Sequence, residues 1–310
     1  MIRSLKYSNR VIKKSVSSLS IGDKAWIDLS DPSPGELSKV SKLTGVYAKD
    51  MESVLSGTVL PKTVNRNGYS MVVLRALNPK KGYSHFGIFI SNKVIVTVHK
   101  KKVFAIDDLL ELVSGKEGKE FFSNGLVYIF FRITSYVTKR FHSELDKIED
   151  KIDVLEDDIL SGKVKEPTKI FDLKQTVMNV RRALITNRDL VDVISGGYSK
   201  YVSSKNNSWL SELRIEMGQV VSISEMLRDR LTGAMEMYMG SISNKLNDIM
   251  KGFTVIASLL LLPMLISGIW GMNFSKIPFY ENPIGFFVPL IIMVVSIILM
   301  VSWFKWKKWI

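Results

Sequence analysis

The chain of 310 residues contains no cysteine. It can therefore form no disulfide and offers no thiolate ligand, which argues against a site for a soft metal ion. It also lacks a phosphate-binding loop, a dinucleotide-binding glycine motif and a zinc-protease motif. Nothing in the sequence therefore predicts an enzyme.

Two segments near the carboxyl terminus have no charged residue, one from 252 to 275 and one from 282 to 304. A helix needs about 20 apolar residues to cross the hydrocarbon core of a bilayer. Buried helices of soluble proteins rarely run so long without a charge. We therefore expect an integral membrane protein with two spans, at 252–271 and 284–304.

The charges around these segments predict their orientation. The connector at 272–283 carries only Lys276 and Glu281, whereas lysines flank the pair of spans on both outer sides. The amino-terminal segment is basic but has no continuous apolar run, so it does not resemble a signal peptide. By the positive-inside rule, both termini face the cytoplasm and the connector faces outward across the plasma membrane. The flanking lysines are Lys245, Lys251, Lys305, Lys307 and Lys308.

The formal net charge of +13 raises the question of nucleic-acid binding. The excess lies mainly in the first 120 residues, where 20 Lys and Arg face 11 Asp and Glu without clustering on one helix. None of the usual nucleic-acid-binding motifs is present. We therefore expect no nucleic-acid partner and attribute the basic surface to the anionic headgroups of the lipid bilayer.

Residues 1–122 alternate short runs rich in β-branched and aromatic residues with helical stretches. The pair Ser33-Pro34, followed by Glu36, is typical of a helix start. This alternation predicts a cytoplasmic α/β domain with a central sheet. Strands are expected at 25–29, 69–77, 85–90 and 94–98, and helices at 34–45, 47–55 and 106–114.

From about residue 123 the pattern becomes helical. A helical hairpin of the cytoplasmic domain is expected over 123–207, with a break at Pro167. A third helix begins near Ser208 and meets no proline before Pro263, so a stalk over 208–251 should continue into the first span. Because a lone helix of that length has no partner for its apolar stripe, the pattern favours a bundle of copies.

Residues 143–158 hold eight carboxylates and two lysines. Two interpretations are open: a solvated helix face, or an acidic surface that concentrates divalent cations. Charge runs on long helices are common, so the solvated face is favoured.

The first span ends in Trp270, directly followed by Gly271-Met272-Asn273. A lone tripeptide is a weak motif, but this one lies between the two predicted spans and continues into Phe274. With this placement, the α/β domain, the helical hairpin, the long stalk and the basic tail at 305–310, the chain resembles the CorA family of magnesium transporters. The resemblance is strong from about residue 238 onward and looser in the amino-terminal domain. The outer loop of the family commonly carries an acidic residue directly after a proline. In this chain Pro278 is followed by Phe279, and the carboxylate of the loop is Glu281. The part of Glu281 in attracting ions stays open.

The resemblance implies a funnel-shaped homopentamer that admits hydrated Mg²⁺ through a selectivity filter formed by Gly271, Met272 and Asn273. Because Mg²⁺ gives up its waters reluctantly, a ring of five Asn273 carbonyls would bind the hydrated ion weakly enough for it to leave. Gly271 would supply the backbone freedom for the turn. The alternative role for Asn273 is that of an ordinary helix-terminal residue.

A helical stripe precedes the motif, and the resemblance implies that it lines the pore, with an asparagine ring and apolar constrictions. The competing interpretation is that the stripe packs against the second span. Its members are Asn247, Met250, Thr254, Leu261, Met264 and Gly268.

Regulation is implied by the resemblance alone. Magnesium bound between neighbouring cytoplasmic domains would close the channel, with Glu212 as one ligand, so Mg²⁺ is expected both as the transported and as the regulatory ion. Co²⁺ and Ni²⁺ are expected as further cargo. The alternatives are a zinc transporter of the same superfamily and a membrane-anchored sensor or scaffold without flux.

Overall fold

A computed structural model describes most of the chain and is discussed for those residues alone. Its Cα positions form two compact units, Met1–Asp158 with Val164–Met235 and Ile159–Lys163 with Glu236–Ile310. The division into domains expected from the sequence stays a prediction. The described residues are 2–8, 10–14, 24–57, 59–78, 82–113, 118–164, 166–202, 207–273 and 282–310.

The first unit contains one seven-stranded sheet with the strand order β2-β1-β3-β7-β6-β5-β4. The central pair, β3 and β7, is parallel, and the other pairs are antiparallel. The α/β class expected from the sequence is confirmed. The strands are β1 Ile2–Ser8, β2 Arg10–Lys14, β3 Ala25–Ser30, β4 Lys62–Asn65, β5 Ser70–Asn78, β6 Gly82–Ile90 and β7 Val94–His99.

Four short helices accompany the sheet. The first begins as expected, because Ser33 and Glu36 form a reciprocal capping box, and it ends at Gly45 in the left-handed conformation (φ 76°). That conformation suits glycine, which has no Cβ to clash. The helices are α1 Pro34–Thr44, α2 Ala48–Leu55, α3 Phe104–Val113 and α4 Gly118–Ser123.

One face of the sheet and the helices α1 and α2 bury a common apolar core, in which Leu37, Met51 and Phe89 are at most 2 % exposed. Gly87 of β6 lies directly under α2: a Cβ at this position would come within 2.8 Å of a methyl group of Val54. A larger residue there would push the helix off the sheet.

Four long helices account for most of the remaining described residues, and the predicted long stalk helix is confirmed. The helical hairpin at 123–207 stays a prediction. A π-helical turn, Ile194–Tyr198, follows the second of the four helices, with Gly197 at φ 89°. The long helix α7 includes Pro263 and runs without interruption from the first unit into the second. The helices are α5 Leu126–Leu160, α6 Thr168–Val193, α7 Asn207–Trp270 and α8 Phe287–Trp306.

Three strands were not expected from the sequence, β1, β2 and β4. Strand β4 is an edge strand of four residues whose side chains are exposed or half-buried, so it carries no apolar alternation. Strands β1 and β2 contain several basic residues, which dilute the apolar pattern that identifies a strand.

Helix α6 is attached to the sheet where β4 ends. The pairing of β4 with β5 stops at Val73. Two residues further on, the buried Asn187 carboxamide of α6 accepts a hydrogen bond from the Arg75 backbone N–H (2.9 Å) and donates one to the Arg75 carbonyl (2.8 Å). One side chain thus takes the place of a missing strand partner, as buried backbone groups require.

We expect Asn187→Ala to destabilise the protein by about 1–3 kcal/mol, because it leaves the buried N–H and carbonyl of Arg75 without partners. Asn179→Ala is the matched control, since this asparagine lies on the same helix and accepts a hydrogen bond from the exposed Gln175. The midpoint of thermal unfolding, recorded for each full-length variant in detergent, measures the effect of the two substitutions. Equal unfolding midpoints for the two variants would contradict the role of Asn187 in attaching α6 to the sheet.

Candidate functional site

The carboxyl-terminal part of α7 and the whole of α8 are long and apolar enough to cross a membrane. In their most apolar windows only 6 % and 11 % of the residues are buried within the chain. A helix of a soluble core would be mostly buried. The apolar side chains of both helices therefore need a cover that one chain does not provide, either lipid or other copies.

The span in α7 has a packed face. Within it Val255 is buried, and the other members of the face are partly buried. Their spacing of three or four residues places them on one side of a helix. The partly buried members are Ser258, Leu259, Leu262, Pro263, Ile266 and Trp270.

The stripe predicted to line a pore lies on a different side of α7. At about 100° per residue its centre is about 130° around the helix axis from the packed face. All six members, from Asn247 to Gly268, are exposed, with Met264 at 72 % and Leu261 at 67 %. These exposures contradict the interpretation that the stripe packs against α8 within one chain. Its role as a pore lining stays a prediction.

Three members of the stripe share a cleft of about 600 Å³ near the start of the span. Asn247, Met250 and Thr254 line it, together with Trp309 from beyond the end of α8. The Lys251 ammonium donates to the Asp248 carboxylate at 3.1 Å in the same cleft. The members Leu261, Met264 and Gly268 lie further along the helix, toward Asn273.

The Gly271-Met272-Asn273 motif begins where α7 ends. The Gly271 N–H donates to the Ser267 carbonyl at 2.9 Å, and the Met272 N–H donates to the Ile269 carbonyl at 3.3 Å. A Cβ at position 271 would lie 3.2 Å from the Ser267 carbonyl oxygen, so glycine permits this tight exit from the helix. All three residues of the motif are exposed, which leaves the Asn273 amide accessible.

The acidic segment 143–158 on α5 has cationic partners that its own helix does not supply. Arg230 of α7 donates to Asp153 at 2.6 Å and to Glu156 at 2.7 Å, and it reaches Glu149 at 3.5 Å. The hydrogen bonds that Arg230 donates to the Glu156 and Asp153 carboxylates raise the pKa of Arg230 above its ordinary value. Three of the eight carboxylates are thereby paired with the stalk helix, a contact that spacing along one helix could not reveal.

Glu212, the expected regulatory ligand, is exposed on α7. One turn further on, Glu216 is half-buried. It was not among the site residues predicted from the sequence. Burial raises the pKa of Glu216, a hydrogen bond with Ser135 and the charge of Lys139 oppose this shift, and the negative charge of Glu212 adds to it. The i,i+4 spacing from Glu212 was the signal that could have found it.

Among the described residues, no group of three or more His, Asp or Glu side chains is placed to hold a metal ion. Glu212 and Glu216 therefore do not complete a metal site within one chain. The predicted outer-loop residue Glu281 lies outside the described residues.

The fold and these features define a class of two-span membrane proteins with an α/β domain. In this chain an exposed, uncharged face of α7 leads to the amide of Asn273. The family model of the CorA-like Mg²⁺ transporter proteins matches residues 22–307. The chain belongs to this family, which consists of divalent-metal transporters and not of enzymes.

Comparisons with individual relatives support membership of this family. The chain is 30 % identical over 288 residues, 92 % of its length and 91 % of the relative's, to the cobalt/magnesium transport protein CorA of Methanocaldococcus jannaschii. The complete structure of the CorA magnesium transporter from that organism matches with a TM-score of 0.89 at 29 % identity, covering 100 % of this chain and 99 % of the other. The zinc transport protein ZntB of Pectobacterium atrosepticum is 23 % identical, covering 92 % of this chain and 88 % of the relative.

The absence of native cysteine allows single cysteines to report which face of α7 meets water. We expect Met264→Cys, in protein reconstituted in bilayers, to react with a charged thiosulfonate at least about tenfold faster than Leu260→Cys, because only a hydrated thiol ionises. Leu260 is the matched control, since it is also exposed within the chain, at 65 %, but lies on another side of the helix. Equal rates would contradict an aqueous path along the predicted stripe.

Proposed function

We propose that this chain forms a homopentameric channel through which the membrane potential drives hydrated Mg²⁺ into the cytoplasm, with Co²⁺ and Ni²⁺ as further cargo. The observation that carries the proposal is the exposed, uncharged stripe of α7 that leads from Asn247 to the motif at Asn273. Five copies, the number that the resemblance implies, would bring these stripes together around one axis. Membrane-spanning helices that are unburied in one chain favour such an assembly.

The selectivity filter in this proposal is the ring of Gly271, Met272 and Asn273. Mg²⁺ dehydrates reluctantly and keeps its waters. Amide carbonyls can accept hydrogen bonds from those waters without the strong attraction of carboxylates, so the ion can enter and leave. The exposed Asn273, held at the end of α7 by the tight turn at Gly271, supplies such an acceptor.

The gate in this proposal consists of apolar rings below the filter. Met250 and Leu261 are exposed at 62 % and 67 %, so five copies would place large apolar side chains around the axis. A ring of this kind stops ions by excluding water when the helices approach one another. Asn247 would form a polar ring at the inner end, in the cleft that Thr254 also lines.

The driving force in this proposal is the membrane potential alone. Neither span contains an ionisable residue, so the usual parts of a proton relay are missing from both. A divalent ion gains about 4.6 kcal/mol for each 100 mV, at about 2.3 kcal/mol per charge. The lysines that flank the spans support a topology with both termini in the cytoplasm, so an inside-negative potential would drive influx.

Feedback by cytoplasmic Mg²⁺ is the proposed regulation. The exposed Glu212 and the half-buried Glu216 lie one turn apart on the stalk helix, where their charges repel each other. A divalent cation would relieve this repulsion, and a neighbouring copy would have to supply the remaining oxygen ligands.

Zinc transport is the second candidate, since the ZntB relative aligns with most of the chain. Zinc prefers thiolate and imidazole ligands. The chain has no cysteine, and its three histidines, His85, His99 and His142, all precede the stalk helix. The proposed path instead offers amide and hydroxyl oxygens, which suit Mg²⁺ better.

The first test is Mg²⁺ influx into liposomes under an imposed potential. We expect Asn273→Ala to lower the influx at least about tenfold, which corresponds to a barrier higher by about 1.4 kcal/mol, because the amide ring is lost. Asn282→Ala is the matched control: it removes an exposed asparagine whose amide oxygen caps Ile284 near the start of α8. We expect this control to keep the wild-type rate.

The outcomes separate the candidates. Influx of Mg²⁺ that survives Asn273→Ala would place the filter elsewhere. Influx of Zn²⁺ without Mg²⁺, measured in the same liposomes with ion-specific dyes, would replace the magnesium proposal with the zinc one. Absence of both fluxes in correctly inserted wild-type protein would contradict the channel.

The second test concerns regulation. We expect Glu212→Gln to raise the cytoplasmic-side Mg²⁺ concentration that halves the influx by about three- to tenfold, because one ligand charge is lost. Asp229→Asn is the matched control, an exposed carboxylate on the same helix that pairs with the neighbouring Arg228. The same half-inhibition concentration in wild type and Glu212→Gln would remove Glu212 from the regulatory site.

A further inference from the structure

The sequence contains two Asn-Gly pairs, Asn67-Gly68 and Asn124-Gly125, and the structure holds them in different ways. The carboxamide of an asparagine can react with the backbone nitrogen of the next residue, and glycine allows the closest approach because it has no side chain. The reaction requires that nitrogen to reach the carboxamide carbon. The reactivity of each pair therefore depends on how freely its glycine nitrogen can move.

Asn67 and Gly68 form the tip of the loop between β4 and β5, which is closed by a hydrogen bond from the Arg66 N–H to the Tyr69 carbonyl (2.8 Å). Both tip residues are exposed, and no described residue forms a hydrogen bond with the Asn67 carboxamide or the Gly68 N–H. Gly68 has a φ of 99°, and nothing lies within 4 Å of the position that a Cβ would occupy. The two reacting groups are thus unrestrained and surrounded by open space.

The second pair is fixed between two helices. Asn124 and Gly125 connect α4 to α5, and the Gly125 N–H donates to the Phe122 carbonyl at 3.2 Å. The Gly125 carbonyl in turn accepts from the Ile129 N–H at 3.3 Å. The φ of Gly125 is 87°, the left-handed conformation in which a chain leaves a helix. This nitrogen must give up a hydrogen bond before it can attack Asn124.

We propose that Asn67 is a site of non-enzymatic deamidation, with water as the second reactant. The Gly68 backbone nitrogen, after losing its proton, forms a bond to Cγ of Asn67. The bond from Cγ to Nδ2 then breaks, and ammonia leaves with a proton from the solvent. Water opens the resulting five-membered succinimide at one of its two carbonyl carbons, which yields aspartate or isoaspartate. Nothing is oxidised or reduced, and the site is independent of the proposed ion path.

Both products change the surroundings of β4. Each places a carboxylate next to Arg66, whose guanidinium donates to Asp50 at 3.0 and 3.3 Å. Isoaspartate also adds one atom to the main chain of the loop that sets the register of β4, in which Asn65 pairs with Ser70. Because β4 is an edge strand of four residues with exposed or half-buried side chains, few contacts oppose this change. Isoaspartate formation at Asn67 should therefore loosen β4.

The strand β4 also holds the segment that connects α6 to α7. The Asn65 carboxamide accepts a hydrogen bond from the Lys200 N–H at 3.3 Å and donates one to the Tyr198 carbonyl. A looser β4 should therefore increase the backbone motion of this connecting segment as well.

The test follows both Asn-Gly pairs in one sample of the full-length protein in detergent. The folded protein is incubated at mildly alkaline pH, where more of each backbone nitrogen is deprotonated, and is digested at intervals. Peptide mass spectrometry detects the replacement of –NH₂ by –OH and separates aspartate from isoaspartate. We expect Asn67 to deamidate at least about tenfold faster than Asn124, which corresponds to a barrier lower by about 1.4 kcal/mol.

A second sample, incubated in denaturant, is the control for local sequence. The two rates should become similar there, because the hydrogen bond that restrains Gly125 is lost. Equal rates for Asn67 and Asn124 in the folded protein would overturn the proposal. A difference that persists unchanged in denaturant would also overturn it, since the fold would then not be the cause.

The effect on β4 is tested with Asn67→Gln, which keeps an amide but would have to close a less favourable six-membered ring. After the same incubation, hydrogen exchange in peptides that cover 62–65 and 198–200 should be faster in wild type than in this variant. The two proteins should exchange alike before incubation, which excludes an effect of the substitution itself. Equal exchange after incubation, in a wild-type sample that has formed isoaspartate, would contradict the loosening of β4.

Discussion

The apolar surface of α7 and α8 exceeds what one chain can bury, and the proposed assembly depends on this constraint. Only 6 % and 11 % of the residues in the most apolar windows of the two helices are buried within the chain, and the packed face of α7 around Val255 covers one side of that helix only. Lipid can cover apolar side chains but cannot satisfy Asn247 or Asn273. Polar side chains at the two ends of a span are stable only where they meet water or another polar surface.

In the first unit, polar contacts between distant segments add to the apolar core. Asn187 attaches α6 to the edge of the sheet, and Arg230 ties α7 to the acidic face of α5. These polar contacts join elements that are far apart in sequence, so they fix the position of the stalk helix relative to its own unit. The stalk helix that these contacts hold continues without a break to Trp270.

Much of the fold could be predicted from the sequence because its signals are local. The lack of charge at 252–275 and 282–304 identified the spans, and the capping box at Ser33 identified the start of α1. The edge strand β4 was missed because four exposed residues carry no alternation of apolar and polar side chains. The pairing of Arg230 with α5, the raised pKa of Glu216 and the attachment of α6 to β5 through Asn187 were missed because each depends on a contact between distant segments. Periodicity could identify the stripe on α7, but only burial could tell it from the packed face.

The central claim is that the stripe of α7 encloses a path for a doubly charged ion, and the reversal potential of the current across a planar bilayer tests it most directly. A tenfold concentration ratio is worth about 1.4 kcal/mol, and a divalent ion gains about 4.6 kcal/mol per 100 mV. A Mg²⁺-selective channel should therefore shift its reversal potential by about 30 mV for each tenfold Mg²⁺ gradient. A reversal potential that ignores the Mg²⁺ gradient and follows a monovalent salt gradient, or the absence of any current from inserted protein, would contradict the account.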